Sequence, residues 1–302
     1  MLDVRRLRLL LELAHRGTIA AVAEALAYTP SAVSQQLAAL EREAGVPLLE
    51  RAGRRVALTP AGTVLARSTE PVLAALEEAA AALAATGTGL AGPLRIGAFP
   101  TAARTILPPA LVALGRDHPG LELMVTELDP VAVPAALRTG ALNVALTHDY
   151  DYVPIEPDPA LDTEPLLEET VYLAATGERP APAEGIIWAH REAPWIVGSP
   201  DTMCHAMVVR ACQAVGFTPR IRHHADDFAT VLALVAAGQG VALVPQFGAI
   251  GVPAGVTLTP LPTRRRTRIA CRSGTRHHPA VAAFAAAIRA SAASYGRTRS
   301  VR

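Results

Sequence analysis

The chain has 302 residues, enough for about two or three domains at ~100–200 residues each, and so for more than one hydrophobic core. Its formal charge is +1, so no global field draws it to nucleic acid or to a membrane, and any nucleic-acid surface has to be local. Aromatic residues make up only 4%, which leaves the cores to Ala, Val and Leu. The 28 basic residues are all arginine. Three cysteines, Cys204, Cys212 and Cys271, are too few and too unevenly spaced for a disulfide framework and point to a reducing cytoplasm. Arginines interrupt the N-terminal residues, so no signal peptide is expected there. The most apolar long stretch, Phe228 to Pro245, holds Gln239 between two glycines and reads as helix, turn and buried strand, not as a membrane span.

Residues 4–44 read as three short helices. Leu7, Leu10, Leu11 and Ala14 form the apolar stripe of the first, which Gly17 stops. Thr18 caps a second with Ile19, Val22, Ala23 and Leu26 inward. After a turn at Ala27-Tyr28, Thr29 suits an N-cap and Pro30 the first helical position, where a missing N–H costs nothing. The third helix places Val33, Leu37 and Leu40 inward and ends at Gly45. Residues 48–59 read as a small hairpin with arginines at its tip. Thr59-Pro60 repeats the start signal for a long helix reaching about Leu83, in which Leu65, Val72, Leu76, Ala79 and Leu83 keep near-heptad spacing and Pro71 should bend or weaken the axis. That stripe has little else to cover it and predicts dimerisation. The glycines of residues 86–89 mark a linker.

Two short helices joined by a tight turn are what a helix-turn-helix needs. With the core face assigned, Ser31, Ala32, Ser34, Gln35 and Ala38 point outward at the start of the third helix. Small side chains let such a helix enter a major groove, and a glutamine pairs with the N6/N7 edge of adenine. Arg54 and Arg55 at the hairpin tip, with Arg5, Arg6 and Arg8, are placed to meet phosphates. On pattern alone a second class stays open: a ligand-binding protein or enzyme whose N-terminal helices only dimerise.

Beyond residue 92, strands at Leu94–Gly97, Leu121–Val125, Leu142–Leu146 and Val241–Val244 alternate with helical stretches, which predicts α/β layers with mostly parallel sheets. The acid-rich segment from Asp149 to Pro165 reads as a surface connection, and the ten arginines from Arg264 to Arg302 as a solvated basic end.

Residues 18–62, through Thr-Pro-Ser-Ala-Val-Ser-Gln-Gln-Leu at 29–37, Gly-Val-Pro-Leu-Leu-Glu-Arg at 45–51 and Leu-Thr-Pro-Ala-Gly at 58–62, resemble the winged helix-turn-helix of LysR-type regulators. The likeness continues at Leu94-Arg95-Ile96-Gly97, His118-Pro119-Gly120, Leu234 to Gly238, Val241 to Pro245 and His278-Pro279. Gln35 departs from it, standing where the family often has arginine, and Leu49 replaces a frequent phenylalanine. The resemblance implies an α/β protein in three parts. An N-terminal all-α winged helix-turn-helix occupies 1–59, a linker helix 60–91, and a two-subdomain α/β periplasmic-binding-protein-like effector domain 92–302. Subdomain I would take 92–164 and 266–296, and subdomain II 165–265. It also implies a cytoplasmic regulator without enzyme activity or cofactor. Its partners would be promoter or operator double-stranded DNA with an interrupted inverted repeat, a small-molecule effector, further copies of itself as homodimer or homotetramer, and RNA polymerase.

On this resemblance Thr29, Pro30, Ser31, Ser34, Gln35, Arg54 and Arg55 meet DNA. Ligands of open α/β sheets sit at strand C-terminal ends against helix starts. Thr101, Asp129 and His148 follow such strands in subdomain I; Ser199, Thr202, Cys204, Asp227 and Phe228 stand at helix starts in subdomain II. Ordinary helix capping is the competing reading for the threonines and aspartates. No arginine stands among these positions, which predicts a small neutral or zwitterionic effector with Asp227 meeting a donor such as an amine, and His148 titrating near neutral pH. Adjacent histidines at 223–224 and 277–278 point to opposite faces of a strand and make no chelate, so no metal is expected. Cys204, at a helix start beside His205, raises redox sensing as an alternative through a lowered pKa. Cys212 lies eight residues on, ~12 Å along one helix and too far for a disulfide without unfolding.

Overall fold

Short polar side chains set the helix starts of the N-terminal region. Asp3 accepts from the Arg5 amide at 2.8 Å ahead of α1 (Val4–Arg16), and Thr18 from Ala21 at 3.2 Å ahead of α2 (Ile19–Ala25). Thr29 accepts from Ala32 at 3.2 Å ahead of α3 (Pro30–Ala44). Gly17 and Gly45, both at φ 72°, end α1 and α3 in the left-handed region that glycine enters freely. The computed structural model describes residues 1–52, 55–87, 89–177 and 185–299. The chain divides into two compact units, Met1–Thr88 with Arg272–Pro279, and Gly89–Cys271 with Ala280–Arg302.

In the first unit a hairpin of β1 (Leu49–Ala52) and β2 (Arg55–Leu58) follows α3. The Glu41 carboxylate accepts from the amides of Leu48 and Leu49 at 2.9 and 3.0 Å, tying the hairpin to α3. Thr59 then caps α4 (Pro60–Ala84), which runs unbroken through Pro71. Leu10, Leu13, Val22, Val33, Leu37, Leu40 and Leu48 form the core. The stripe expected on α1 is wider than its spacing suggests: Leu9 and Leu13 are buried and Ala14 is exposed, because α4 packs along α1 as well. On α4, Leu65 joins this core, while Val64, Val72, Leu76 and Leu83 stay exposed.

The second unit starts with β3 (Ala91–Ala98), α5 (Pro100–Arg104), α6 (Leu107–Asp117) and β4 (Gly120–Glu127). A 3-10 turn at Pro130–Ala132, α7 (Val133–Thr139), β5 (Val144–Tyr150) and β6 (Leu161–Thr176) follow. Then come α8 (Ile186–Ala189), β7 (Pro194–Val197), α9 (Met203–Ala214), β8 (Arg220–His224) and α10 (Phe228–Ala236). The chain closes with β9 (Ala242–Pro245), β10 (Val256–Arg272) and α11 (Pro279–Arg299).

One six-stranded sheet has the order β4-β3-β5-β10-β6-β9, beside a parallel pair β7-β8. The expected mostly parallel arrangement is corrected to a mixed one: β3 lies parallel to β4 and β5, but β10 is antiparallel to β5 and β9 to β6. The reason is the two long strands, which return through the unit instead of crossing over by helices. On β6, Leu166 and Leu167 pack on a core of Ile96, Leu146 and Phe284, whereas Val171 and Leu173 pack on a second around Trp195 and Met207. On β10, Ile269 serves the first core and Leu261 the second. The subdomain limits expected at 164/165 and 265/266 fall inside these strands.

Two further expectations are corrected. Asp149 is not in a surface connection; it completes β5, buried, held by Arg266 at 2.9 Å and Arg268 at 3.2 Å across the β5–β10 ladder. The arginines beyond Arg264 are not simply a solvated end. Arg265 is 1% exposed, because strand alternation buries Thr263, Arg265, Thr267 and Ile269 on one face.

Gly62 sits where a Cβ would lie 2.2 Å from the Leu48 carbonyl oxygen. Gly62→Ala should therefore push the hairpin off α4 and cost about 1–3 kcal/mol, read as a lower denaturant midpoint. An unchanged midpoint would refute this tight approach.

Candidate functional site

The first unit presents the start of α3. Thr29 caps it, Pro30 takes its first position, and Ser31, Ser34 and Gln35 are exposed. The Thr29 and Ser31 hydroxyls lie 3.1 Å apart and Ser34 donates to the Pro30 carbonyl at 3.0 Å, so short side chains fold back and leave Gln35 as the longest reaching group. Arg6 does not extend toward phosphates as expected. Its Nε donates to Gln36 at 2.9 Å and its guanidinium pairs with Glu43, which locks α1 to α3. Arg55 opens β2 opposite Ala52; Arg54 lies outside the described residues.

In the second unit a cavity of about 220 Å³ opens at the C-terminal ends of β3, β4, β5 and β7. Six of the eight expected effector positions line it: Thr101, Asp129, His148, Thr202, Cys204 and Phe228. Ser199 does not line it, being turned to Asp226, whose carboxylate accepts from its amide at 2.7 Å and its hydroxyl at 2.6 Å. Asp227 does not line this cavity either. It caps α10 through the Thr230 amide at 3.0 Å, pairs with Arg104 at 3.2 Å, and lines a separate adjoining cavity with Pro100, Arg104 and Glu127. Capping describes Thr202 too, which accepts from the His205 amide at 3.2 Å while standing on the cavity wall.

Sequence reasoning missed Arg265, Asp226 and Glu127, all on that wall. The expectation that the cleft lacks an arginine is thus overturned. The Arg265 side chain pairs with buried Glu169 at 2.7 Å, donates to the Thr101 hydroxyl at 2.9 Å and lies 4.8 Å over the Phe99 ring. Its signal was the alternation of Thr263, Arg265 and Thr267, masked by flanking Arg264 and Arg266.

His148 stacks on Phe99 with ring centroids 4.5 Å apart and lies 5.1 Å from the Tyr150 ring. Burial, with Arg265 nearby, holds its pKa well below 6.5, so the expected titration near neutrality is corrected: the imidazole stays neutral. Burial also pushes Cys204 up rather than down, although its sulfur lies 3.6 Å from the Tyr150 hydroxyl, which favours the thiolate. Cys212, buried in the second core, is pushed up by burial to about 12. Asp129 is raised by burial against the amides of Val131 and Met203 that donate to it. Burial is the largest influence on Arg265 and opposes its charge, yet Glu169, together with Tyr150 and Cys204, holds the guanidinium above its ordinary value. Among the described residues no group of three or more His, Cys, Asp or Glu is placed to hold a metal ion, and no helix is long and apolar enough to cross a membrane.

Because buried His148 resists protonation, stability depends on pH. Above 6.5 the imidazole is neutral folded and unfolded; as pH falls below 6.5 the unfolded chain takes a proton that the folded chain refuses, so stability is lost. The loss should approach about 1.4 kcal/mol per pH unit, and His148→Phe should flatten it. Urea midpoints of both chains from about pH 7 to about pH 5 measure this, and equal acid sensitivity would contradict it.

Comparison with known proteins gives the family. Residues 87–293 match the LysR substrate binding domain and residues 4–63 the bacterial regulatory helix-turn-helix protein, lysR family. The chain is 31% identical over 247 residues to a "Probable hydrogen peroxide-inducible genes activator" of Mycobacterium avium, covering 80% of this chain and 76% of that protein. It is 31% identical over 245 residues to the HTH-type transcriptional regulator TtuA of Agrobacterium vitis, covering 80% and 79%. A mutant of Corynebacterium glutamicum OxyR superposes with a TM-score of 0.58 at 25% identity, covering 99% of this chain and 96% of that one. With both a helix-turn-helix and a substrate-binding domain matched along its length, the chain belongs to the LysR family of bacterial transcriptional regulators, which bind DNA, respond to small effectors and form oligomers.

Proposed function

We propose that this chain reads promoter or operator DNA through Ser34 and Gln35 at the start of α3, with Thr29, Pro30 and Ser31 fitting the helix end to the groove. The small molecule that controls it sits against Thr101, Asp129, His148, Thr202, Cys204 and Phe228. The single observation carrying this reading is the wall of the 220 Å³ cavity, where polar groups from strand ends and helix starts converge on a mostly apolar space. The same wall supports a binding role and not catalysis: burial favours the protonated Cys204 thiol, and the neutral His148 stacks on Phe99 with neither ring nitrogen hydrogen-bonded to a described residue. A regulator of this kind works in the cytoplasm, where bacterial DNA lies.

A peroxide-responsive reading, suggested by the printed description of the mycobacterial relative, has one observation in its favour, the position of Cys204 on the cavity wall. Two others weigh against it. Burial raises both Cys204 and Cys212, whereas reactivity calls for a thiolate, and Cys212 is closed within the second core. Reversible binding in the cavity accounts for the wall without oxidation.

Two outcomes test the reading. Gln35→Ala should weaken specific DNA binding by about 1–3 kcal/mol and relax preference at one base position. Footprints identical to the parent would place the reading face elsewhere. Val72, Leu76 and Leu83 are 44%, 48% and 73% exposed on α4, so we propose that this helix pairs with a second copy. Leu76→Glu should lower the oligomer order, and an unchanged sedimentation profile would exclude that seam.

A further inference from the structure

Arg265 on the cavity wall, and the Met203 and Ser199 amides just behind Asp129 and Asp226 of that wall, are suited to holding an anion, and each already meets a carboxylate of the chain itself. Arg265 is paired with Glu169 at 2.7 Å. The Met203 amide, at the start of α9, donates to both Asp129 oxygens at 3.3 Å. The amide and hydroxyl of Ser199, just beyond Gly198, are taken by Asp226. An incoming carboxylate would have to displace one of these internal partners and then remain beside it, with Glu127 adding further negative charge at the wall. A cation fares little better. Asp129 and Asp226 are engaged with backbone amides, Phe99 already lies under Arg265 and against His148, and Ile196, Val231 and Leu243 offer no compensation for lost water.

His148 is different. It is 2% exposed, it lines the cavity, and neither ring nitrogen has a hydrogen-bond partner among the described residues. A neutral imidazole presents one N–H donor and one acceptor lone pair, and buried polar groups are ordinarily matched. Resting on the reading of this cavity as the effector site, we infer that the effector is a small uncharged molecule hydrogen-bonded to the His148 imidazole. A cavity of about 220 Å³ lies below the roughly 300–1,000 Å³ of ordinary ligand pockets, which favours a small molecule. Thr101, held by Arg265, and Thr202, held at the start of α9, flank it as fixed polar neighbours.

The test uses the full chain and matched probes that share a carbon skeleton: acetamide, acetate and ethylamine, then benzamide, benzoate and benzylamine. Calorimetric titration should show the better carboxamide binding at least about tenfold more tightly than its carboxylate and its amine. His148→Phe should remove that binding, and His148→Gln, which keeps a donor and an acceptor, should restore part of it. A carboxylate or amine that binds as tightly, or carboxamides that do not bind, overturns the uncharged class. That comparison is made on the unaltered chain and stands whether or not the variants fold. Charged probes lost in both His148→Phe and Thr101→Val would leave the cavity as the effector site while removing the inference about its ligand. Probe binding indifferent to both substitutions would remove the site itself.

Discussion

The ion pair between Arg265 and Glu169 holds the second unit together at its most demanding point. Both side chains are 1% exposed, and they come from the two long strands, β10 and β6, that serve both hydrophobic cores. A buried charge without its partner is strongly destabilising, on the order of 3–5 kcal/mol, so each of these residues makes the other obligatory. The pair also reaches outward. Glu169 accepts from the Phe247 amide at 2.8 Å, and Arg265 donates to Thr101 and covers the Phe99 ring. Phe99 in turn supports His148. One charge pair thereby orders the strand crossing, the start of α5 and the floor of the cavity.

The same pair explains how much of the cavity was legible in the sequence. Thr101, Asp129, His148, Thr202, Cys204 and Phe228 stand at strand ends and helix starts, positions that hydrophobic patterning and start signals reveal one element at a time. Arg265 lies mid-strand in a run of three arginines, where composition suggests solvent and only period-two burial says otherwise. Its counter-charge is 96 residues away, so no local pattern connects them. Asp227 stands off that wall for the opposite reason. Its local signal, an aspartate before an apolar helix, is satisfied entirely by capping α10 and pairing with Arg104.

In the first unit, local rules were nearly sufficient. Threonine and aspartate caps, the Thr-Pro starts of α3 and α4, and the glycine stops fix each boundary within a residue or two. What they could not supply was helix-on-helix coverage. Leu9 and Leu13 became core because α2, α3 and α4 all pack on α1, and Arg6 turned inward because Glu43 and Gln36 on α3 were within reach. Side chains of one helix are assigned by their neighbours, which spacing within that helix does not encode.

The placement of β10 beside β5 sets an order for folding during synthesis. Asp149 and its strand partner Arg266 are 117 residues apart, so β5 leaves the ribosome long before the strand that completes one side of it. Until then Val144, Leu146 and Tyr150 present an apolar strand with an unpaired edge. Closing so distant a pairing is entropically slow, and the waiting edge is open to wrong partners. The buried Asp149 is part of the answer, because a carboxylate on that edge stays soluble and repels a second copy of itself until Arg266 and Arg268 arrive to neutralise it. Nascent chains stalled before β10 would thus depend on chaperones in a way that the finished chain would not.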